Sequence, residues 1–231
     1  DLDSVLKAKK LGEIDISAEK VVLMGHSLGA LTAILGSGSK IDDQLGERCL
    51  KVLDNLSLTN LSSLLQCQLV DITLPNRKKI ENLSAIVGIN SFGGFLWQDN
   101  SDNQINVPIF LTGGTFDLVT PAISEQLGLM LSVSSSQLSR VLLIEGASHF
   151  SPIRVEGQMA QSEGKDIFNL GESILGYHPL SVQSLLAFEI VSFLENLEEK
   201  KSIPSKTNLT KGELKFHILD RSIIEKLVKV Q

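Results

Sequence analysis

The segment Glu19–Ala30, EKVVLMGHSLGA, decides the fold of this chain. Its apolar run, residues 20–24, is typical of a strand that is buried on both faces in a parallel sheet. The run ends in GHSLG at positions 25–29, and the apolar segment 28–35 that follows has the pattern of a helix. The sequence therefore places a serine between two glycines, in a sharp turn from a buried strand into a helix.

Ser27, at the centre of this G-x-S-x-G pattern, is the candidate nucleophile. The turn forces Ser27 into a strained backbone conformation, and we expect side chains at Gly25 and Gly29 to collide with the neighbouring strand and helix. The backbone N–H of Leu28, helped by the helix dipole, then faces a developing oxyanion. The alternative is an inert serine in a glycine-bounded turn.

A serine hydroxyl needs a base, and the chain has four histidines. His149 is the predicted base, because it follows the apolar segment 139–144 by a loop of small residues and so reaches the same edge of the sheet. His26 lies inside the turn and is predicted to pack or to line the pocket. His178 precedes a long apolar helix and is predicted to line the entrance, whereas His217 lies in a charged segment and is predicted to be a surface residue.

Asp117 is the predicted acid that fixes the tautomer of the base, since it follows a third apolar segment, 107–111, on a glycine-rich loop. Asp71, in a polar insert, and Glu145, at the end of the strand that leads to the base, are competing carboxylates. The order serine, aspartate, histidine along the chain, each at the carboxyl end of a strand, is the order expected for α/β-hydrolases.

The remaining pattern predicts strands that alternate with helices, and hence an α/β fold with a mostly parallel sheet flanked by helices. Residues 40–75 lack a strand pattern and contain helix-like pieces, so we expect a helical cap over the carboxyl edge of the sheet. Residues 201–231 read as a charged C-terminal tail with a short helix. The predicted strands are 20–24, 84–89, 107–111 and 139–144, and the predicted helices include 28–35, 123–131 and 180–197.

Composition limits the classes of partner. The chain has 231 residues, 42% of them hydrophobic, and a formal net charge of −6, which argues against nucleic acid as a partner. No apolar run is long enough to predict a transmembrane segment. No cluster of residues has metal-ligand spacing, so no metal or cofactor is expected. Cys49 and Cys67 are compatible with one disulfide or with two buried thiols.

Residues 20–150 are similar to the C-terminal half of an α/β-hydrolase. The pieces GHSLGA, VPIFLTGGTFDLVTP and GASHF, with LLQC at 64–67, resemble bacterial esterases of the dienelactone hydrolase-like group, akin to platelet-activating factor acetylhydrolases. The resemblance implies the C-terminal portion of an α/β-hydrolase domain over residues 1–200 and ester hydrolysis without a cofactor. Because true dienelactone hydrolases carry a cysteine where this chain has Ser27, lactone chemistry is not carried over.

The position of Ser27 so early in the chain predicts that the first strands of such a fold are absent. A fragment, strands supplied by another chain, and a compact descendant without catalysis are three explanations that stay open. The loop that usually supplies the second oxyanion N–H would be absent too, so we expect the chain alone to be weakly active or inactive on short p-nitrophenyl esters. The strand 20–24 would then be an apolar sheet edge that invites self-association.

The leading function from sequence is a serine hydrolase for carboxylic esters, with lipid-like acyl esters as one substrate class. An apolar pocket is expected from Phe92, Phe95, Leu96 and Trp97, although ordinary core packing explains these residues equally well. A non-catalytic binding or scaffold protein on the same fold is the alternative from another class. A peptidase or an acyltransferase using the same three residues is a third candidate.

Overall fold

The fold is described from a computed structural model that defines residues 4–5, 8, 10–11, 14–15, 19–54, 61–72, 79–97, 105–134, 136–153 and 179–228. Six strands of this described part form one sheet, in the order β3-β4-β5-β6-β8-β7. A separate antiparallel pair consists of β1 and β2. The strands are β1 Lys10–Leu11, β2 Ile14–Asp15, β3 Val21–His26, β4 Leu83–Ile89, β5 Ile109–Gly114, β6 Arg140–Ile144, β7 Lys206–Lys211 and β8 Leu214–Leu219.

The strands β3 to β6 are parallel, so their carboxyl ends meet at one edge of the sheet. The predicted α/β class and the mostly parallel sheet are therefore confirmed. A π-helix at Ile123–Leu127 continues directly into α4, where the sequence predicts one regular helix. The helices are α1 Leu28–Leu35, α2 Leu45–Asp54, α3 Leu61–Cys67, α4 Gly128–Val133, α5 Pro179–Glu198 and α6 Arg221–Val228.

Both faces of the sheet are packed, because successive side chains of a strand point to opposite faces. On one face, Ile86 of β4 belongs to a core with Ile34 of α1 and Met130 of α4. On the other face, Phe110 of β5 stacks on Phe193 of α5 with ring centroids 5.0 Å apart. The central strands are therefore covered on both sides, as their continuous apolar sequences predict.

The helix α5 is the single helix in the described chain that is long and apolar enough to cross a membrane, by length and composition only. It has 20 residues, and its most apolar window has a mean hydropathy of 1.3. The sequence predicts this helix at 180–197 but no transmembrane segment. In the structure, Val182, Leu185 and Phe193 of this helix are buried against the sheet.

The insert 40–75 contains helices and no strand where the structure describes it, as the sequence predicts. Cys49 and Cys67 form a disulfide with their Cα atoms 5.6 Å apart, so of the two alternatives the structure shows the bridge, which joins α2 to α3. The insert contacts the loop that follows β4: Phe95 N–H donates to Gln66 Oε1 over 3.0 Å. Its role as a cap over the candidate site stays a prediction.

The C-terminal segment 201–231 differs from the predicted charged tail. It carries β7 and β8, which extend the sheet antiparallel to β6, before the expected short helix α6. The physical reason is the alternation in LKFHIL, which buries Leu214, Phe216 and Ile218 on the sheet while the residues between them face outward. The many charged residues around this hairpin made the alternation of buried and exposed positions hard to recognise in the sequence.

The strand β3 pairs with β4 and with no other strand of the described chain, so it lies at an edge of the sheet there. Val21 and Leu23 face the core, whereas Val22 is 40% and Met24 63% exposed. The expected apolar edge is thus present in the described part. Self-association through it stays a prediction.

Candidate active site

The turn between β3 and α1 holds Ser27 at φ 57° and ψ −121°. This positive φ is one that residues other than glycine rarely adopt. A Cβ at Gly25 would lie 2.2 Å from the carbonyl carbon of Gly29, so glycine is required where β3 meets the helix. A Cβ at Gly29 would meet nothing within 4 Å, which corrects the expected collision at that position. The constraint therefore comes from the first glycine and from the strained serine.

The three predicted residues meet at the carboxyl edge of the sheet. The Ser27 Oγ atom lies 3.1 Å from His149 Nε2, and His149 Nδ1 lies 2.9 Å from Asp117 Oδ2. Because the ionised carboxylate only accepts, Nδ1 carries the proton and Nε2 is left to accept the serine O–H. The predicted convergence is confirmed, and the catalytic roles stay predictions.

The loop after β5 brings Asp117 to this edge. A Cβ at Gly114 would lie 2.0 Å from the carbonyl oxygen of Ala147, so this glycine lets the loop approach the loop of His149 closely. The N–H of Phe116 donates to Ala147 over 2.9 Å, which joins the two loops. The competing carboxylates lie elsewhere, since Asp71 is exposed and Glu145 pairs with His217.

The carboxylate of Asp117 is fully buried and hydrogen-bonded on both oxygens. Oδ1 accepts from the N–H groups of Val119 and Thr120, and Oδ2 accepts from the Thr120 hydroxyl at 2.6 Å besides His149. Burial alone raises the pKa of Asp117, but the hydrogen bonds from His149 and Thr120 outweigh it and hold that pKa below its ordinary value. The group therefore stays ionised at neutral pH.

The amide of Asn90, a residue that sequence reasoning missed, is a further donor to Asp117 Oδ2, over 2.7 Å. Asn90 is the first residue after β4, so it lies at the same carboxyl edge. Its only sequence signal is that position directly after an apolar strand. Thr120 was missed as well, although an aspartate side chain that accepts backbone N–H groups two and three residues further on is a recurrent local pattern.

His26 contacts the loop of the candidate base, which the sequence did not predict, and its predicted role in packing or lining the pocket stays a prediction. Its Nε2–H donates to the backbone carbonyl of His149 over 2.9 Å, and the two ring centroids are 4.8 Å apart. Burial lowers the pKa of His26, and the hydrogen bond to that carbonyl offsets this only in part. A neutral His26 thus links the turn between β3 and α1 to the loop of His149.

The aromatic residues after β4 are placed mainly in the core. Leu96 and Trp97 are buried, and the Trp97 Nε1–H donates to the Lys40 carbonyl over 2.6 Å. The guanidinium carbon of Arg48 lies over the ring of Phe95, 5.7 Å from the centroid of that ring. Core packing therefore accounts for these three.

Phe92 is also buried, but its ring lies edge-on to His149 with centroids 6.4 Å apart. A substrate-binding role therefore stays a prediction for Phe92. His178 lies outside the described residues, so its predicted position at the entrance is untested.

Leu28 is the first residue of α1, directly after the serine. The first backbone N–H groups of a helix have no partner within it and point outward from the helix at its N-terminal end. The structure thus gives Leu28 the location that an oxyanion donor needs, and its role stays a prediction.

Glu125, on the π-helix, is a buried carboxylate that joins the insert to the loop after β4. Its Oε2 atom accepts from Gly93 N–H at 2.9 Å and from Gly94 N–H at 2.8 Å, and its Oε1 atom accepts from Gln66 at 2.8 Å and from Ser62. Burial raises the pKa of Glu125, although these four donors act in the opposite direction. Sequence reasoning gave no signal for this contact.

Comparison with known proteins does not assign the chain: no model of a protein family matches it, and no curated protein matches it. Within the described ranges, no group of three His, Cys, Asp or Glu side chains could hold a metal ion.

Proposed function

We propose that this chain is a serine hydrolase with an α/β-hydrolase fold, and that it cleaves carboxylic esters. The observation that carries the proposal is the continuous contact from Ser27 Oγ through the imidazole of His149 to the carboxylate of Asp117, over 3.1 and 2.9 Å. The strained turn that holds the serine between a parallel strand and a helix supports it further.

In the proposed reaction, Ser27 Oγ attacks the acyl carbon while His149 Nε2 takes the hydroxyl proton. The tetrahedral intermediate collapses, the bond between the acyl carbon and the alcohol oxygen breaks, and His149 gives its proton to the leaving alcohol. A water molecule then attacks the acyl-serine with His149 again as base, which releases the acid and regenerates the hydroxyl. Asp117 stays ionised throughout and stabilises the imidazolium that forms twice.

The developing oxyanion is stabilised in this proposal by the N–H of Leu28 at the N-terminal end of α1. One such donor contributes a factor of about 10²–10³ in rate where it has been measured.

Apolar esters are the substrate class that the surroundings favour. Large apolar side chains adjoin each of the three residues in sequence and are at least half exposed at this edge: Leu28, Phe116, Leu118 and Phe150. These four side chains match an acyl or alkyl chain and carry no charge themselves. Lipid-like esters are therefore proposed before small polar ones.

The test is covalent labelling of the full chain with a fluorophosphonate, followed by peptide mass spectrometry. We expect one labelled site, Ser27, and turnover of p-nitrophenyl butyrate that Ser27→Ala removes. Ser124→Ala is the matched control, since Ser124 is exposed and bonds only to the nearby Pro121 carbonyl among the described contacts. Failure to label folded wild-type protein, or equal turnover by Ser27→Ala, would refute the proposal.

A further inference from the structure

A buried side chain directly after β4 contacts the candidate acid and the backbone next to the candidate base. Asn90 is 2% exposed, and its Nδ2 atom lies 2.7 Å from Asp117 Oδ2 and 3.2 Å from the backbone carbonyl of Ser148, the neighbour of His149. Both acceptors are oxygens that cannot donate, so the atom that faces them must be the amide nitrogen. Its two protons are then used on the acid and on the loop of the base.

The other hydrogen bonds to Asp117 come from its own loop or from the base. Val119 and Thr120 lie within three residues of it, and they hold the carboxylate without reference to the rest of the site. Among the described donors to this carboxylate, the Asn90 amide comes from a different strand and also holds the backbone beside His149. It therefore fixes the position of the acid relative to the base.

The backbone of Asn90 is itself unusual. Its φ of 45° lies in the left-handed region, which costs free energy for any residue with a side chain and least for Asn and Gly. A backbone hydrogen bond holds it there: its N–H donates to the Thr112 carbonyl over 2.8 Å. The strained backbone aims the amide at the gap between the two loops.

We propose that Asn90 is a positioning residue of the active site, which holds Asp117 and the loop of His149 in register so that the imidazole faces Ser27. The proposal rests on the proposed hydrolase function for its kinetic consequence. Its geometric consequence, a fixed distance between His149 Nδ1 and Asp117 Oδ2, does not depend on any substrate.

Asn90→Gly removes the amide and keeps a residue that adopts a φ of 45° without strain, so the variant is expected to fold. We expect kcat for p-nitrophenyl butyrate to fall about ten- to a hundredfold, the range for a hydrogen bond to a charged group, with KM within about twofold. Asn208→Gly is the matched control, because Asn208 is an exposed left-handed Asn on β7. It should leave both constants unchanged.

Asn90→Asp keeps the shape and replaces the donor by a second carboxyl against Asp117. Two carboxylates at this distance disfavour a double charge, so one of the two apparent pKa values of the pair rises. The acidic limb of the profile of kcat/KM against pH should therefore move to higher pH. A role in stability alone would lower the melting temperature and leave this limb in place.

The readout that is independent of activity is the low-field proton resonance of the imidazole Nδ1–H, assigned by its loss in His149→Gln. We expect Asn90→Gly to shift or broaden it and Asn208→Gly to leave it unchanged. If wild type neither hydrolyses esters nor reacts with a fluorophosphonate, the proposed function fails, and a displaced resonance still supports the positioning role. Folded Asn90→Gly with wild-type kcat and an unmoved resonance, or Asn90→Asp with an unmoved acidic limb, would overturn it.

Discussion

The sheet carries two histidine–carboxylate pairs with the same separation and different surroundings. His149 and Asp117 are 2.9 Å apart with side chains 7% and 0% exposed, and His217 and Glu145 are 2.9 Å apart with side chains 17% and 41% exposed. His149 turns its other nitrogen, Nε2, to the hydroxyl of Ser27. His217 accepts the backbone N–H of Asn208 on its other nitrogen, over 3.1 Å.

The difference shows that a hydrogen-bonded carboxylate does not by itself make a histidine a base. In His217 both nitrogens are engaged within the hairpin of β7 and β8 and with Glu145, so no nitrogen is left to take a proton from a substrate or a nucleophile. In His149 the second nitrogen faces a hydroxyl that a strained turn holds in place. The pair of His149 and Asp117 is therefore arranged as the proposed catalysis requires. The pair of His217 and Glu145 instead links β8 to the residue that follows β6.

The largest expected effect separates the two histidines. His149→Gln removes the proposed base, and kcat is expected to fall by a factor on the order of 10⁵–10⁶, as for the base of comparable triads. His217→Gln should change kcat less than about twofold, because its ring touches neither Ser27 nor Asp117 in the described contacts. Steady-state turnover of p-nitrophenyl butyrate measures both, and a comparable loss in the two variants would break the comparison.

The next effect separates the two carboxylates. In Asp117→Asn the backbone N–H groups of Val119 and Thr120 hold the new carbonyl, so its NH₂ group faces His149 Nδ1 and forces that nitrogen to accept. The ring then carries its proton on Nε2 and cannot act as a base, and kcat should fall by a factor on the order of 10⁴.

Glu145→Gln is the matched variant, and it should retain turnover close to wild type. Single-turnover measurements of the acyl-enzyme distinguish a lost base from slow product release. Retained activity in Asp117→Asn would assign the acid elsewhere.

The smallest expected effect is on the pH dependence of the free energy of unfolding. Because the pKa of Asp117 is lowered in the folded state, its ionised form stabilises the fold above its ordinary pKa of about 3.9. That stabilisation is lost as the pH falls through the lower folded value.

The free energy of unfolding of wild type relative to Asp117→Asn should therefore decrease as the pH falls from about 5 to 2, measured by urea unfolding. Glu145→Gln should change stability by less than about 1 kcal/mol, since its carboxylate is partly exposed. A pH-independent difference for Asp117→Asn would contradict the linkage.

The sequence predicts the turn at Ser27 and the four parallel strands, because both depend on local pattern. It also predicts that Ser27, Asp117 and His149 meet, because the carboxyl ends of parallel strands lie at one edge of the sheet. Asn90 was missed as a site residue, and His26 was predicted to pack or to line the pocket without its contact to the loop of His149, because both contacts reach across the sheet. Asn90 reaches Asp117 from another strand, and His26 reaches a backbone carbonyl 123 residues away. No spacing in a sequence encodes such contacts.

The hairpin of β7 and β8 was missed for a different reason. Most positions of β7 are exposed, so polar and charged residues dominate its composition. Only the alternation in β8 signals a half-buried strand, and it becomes decisive once β6 offers an open edge for antiparallel pairing. A sheet thus selects strands that local sequence leaves ambiguous.

The disulfide between Cys49 and Cys67 also has a consequence for the chain when it is unfolded. The bond closes a loop across a sequence separation of 18 residues, and the loop persists when every helix and strand is lost. A loop of this size removes conformational entropy from the unfolded ensemble that corresponds to about 3 kcal/mol. The insert is therefore held near its native topology by a restriction on the denatured chain, in addition to its contacts in the folded protein.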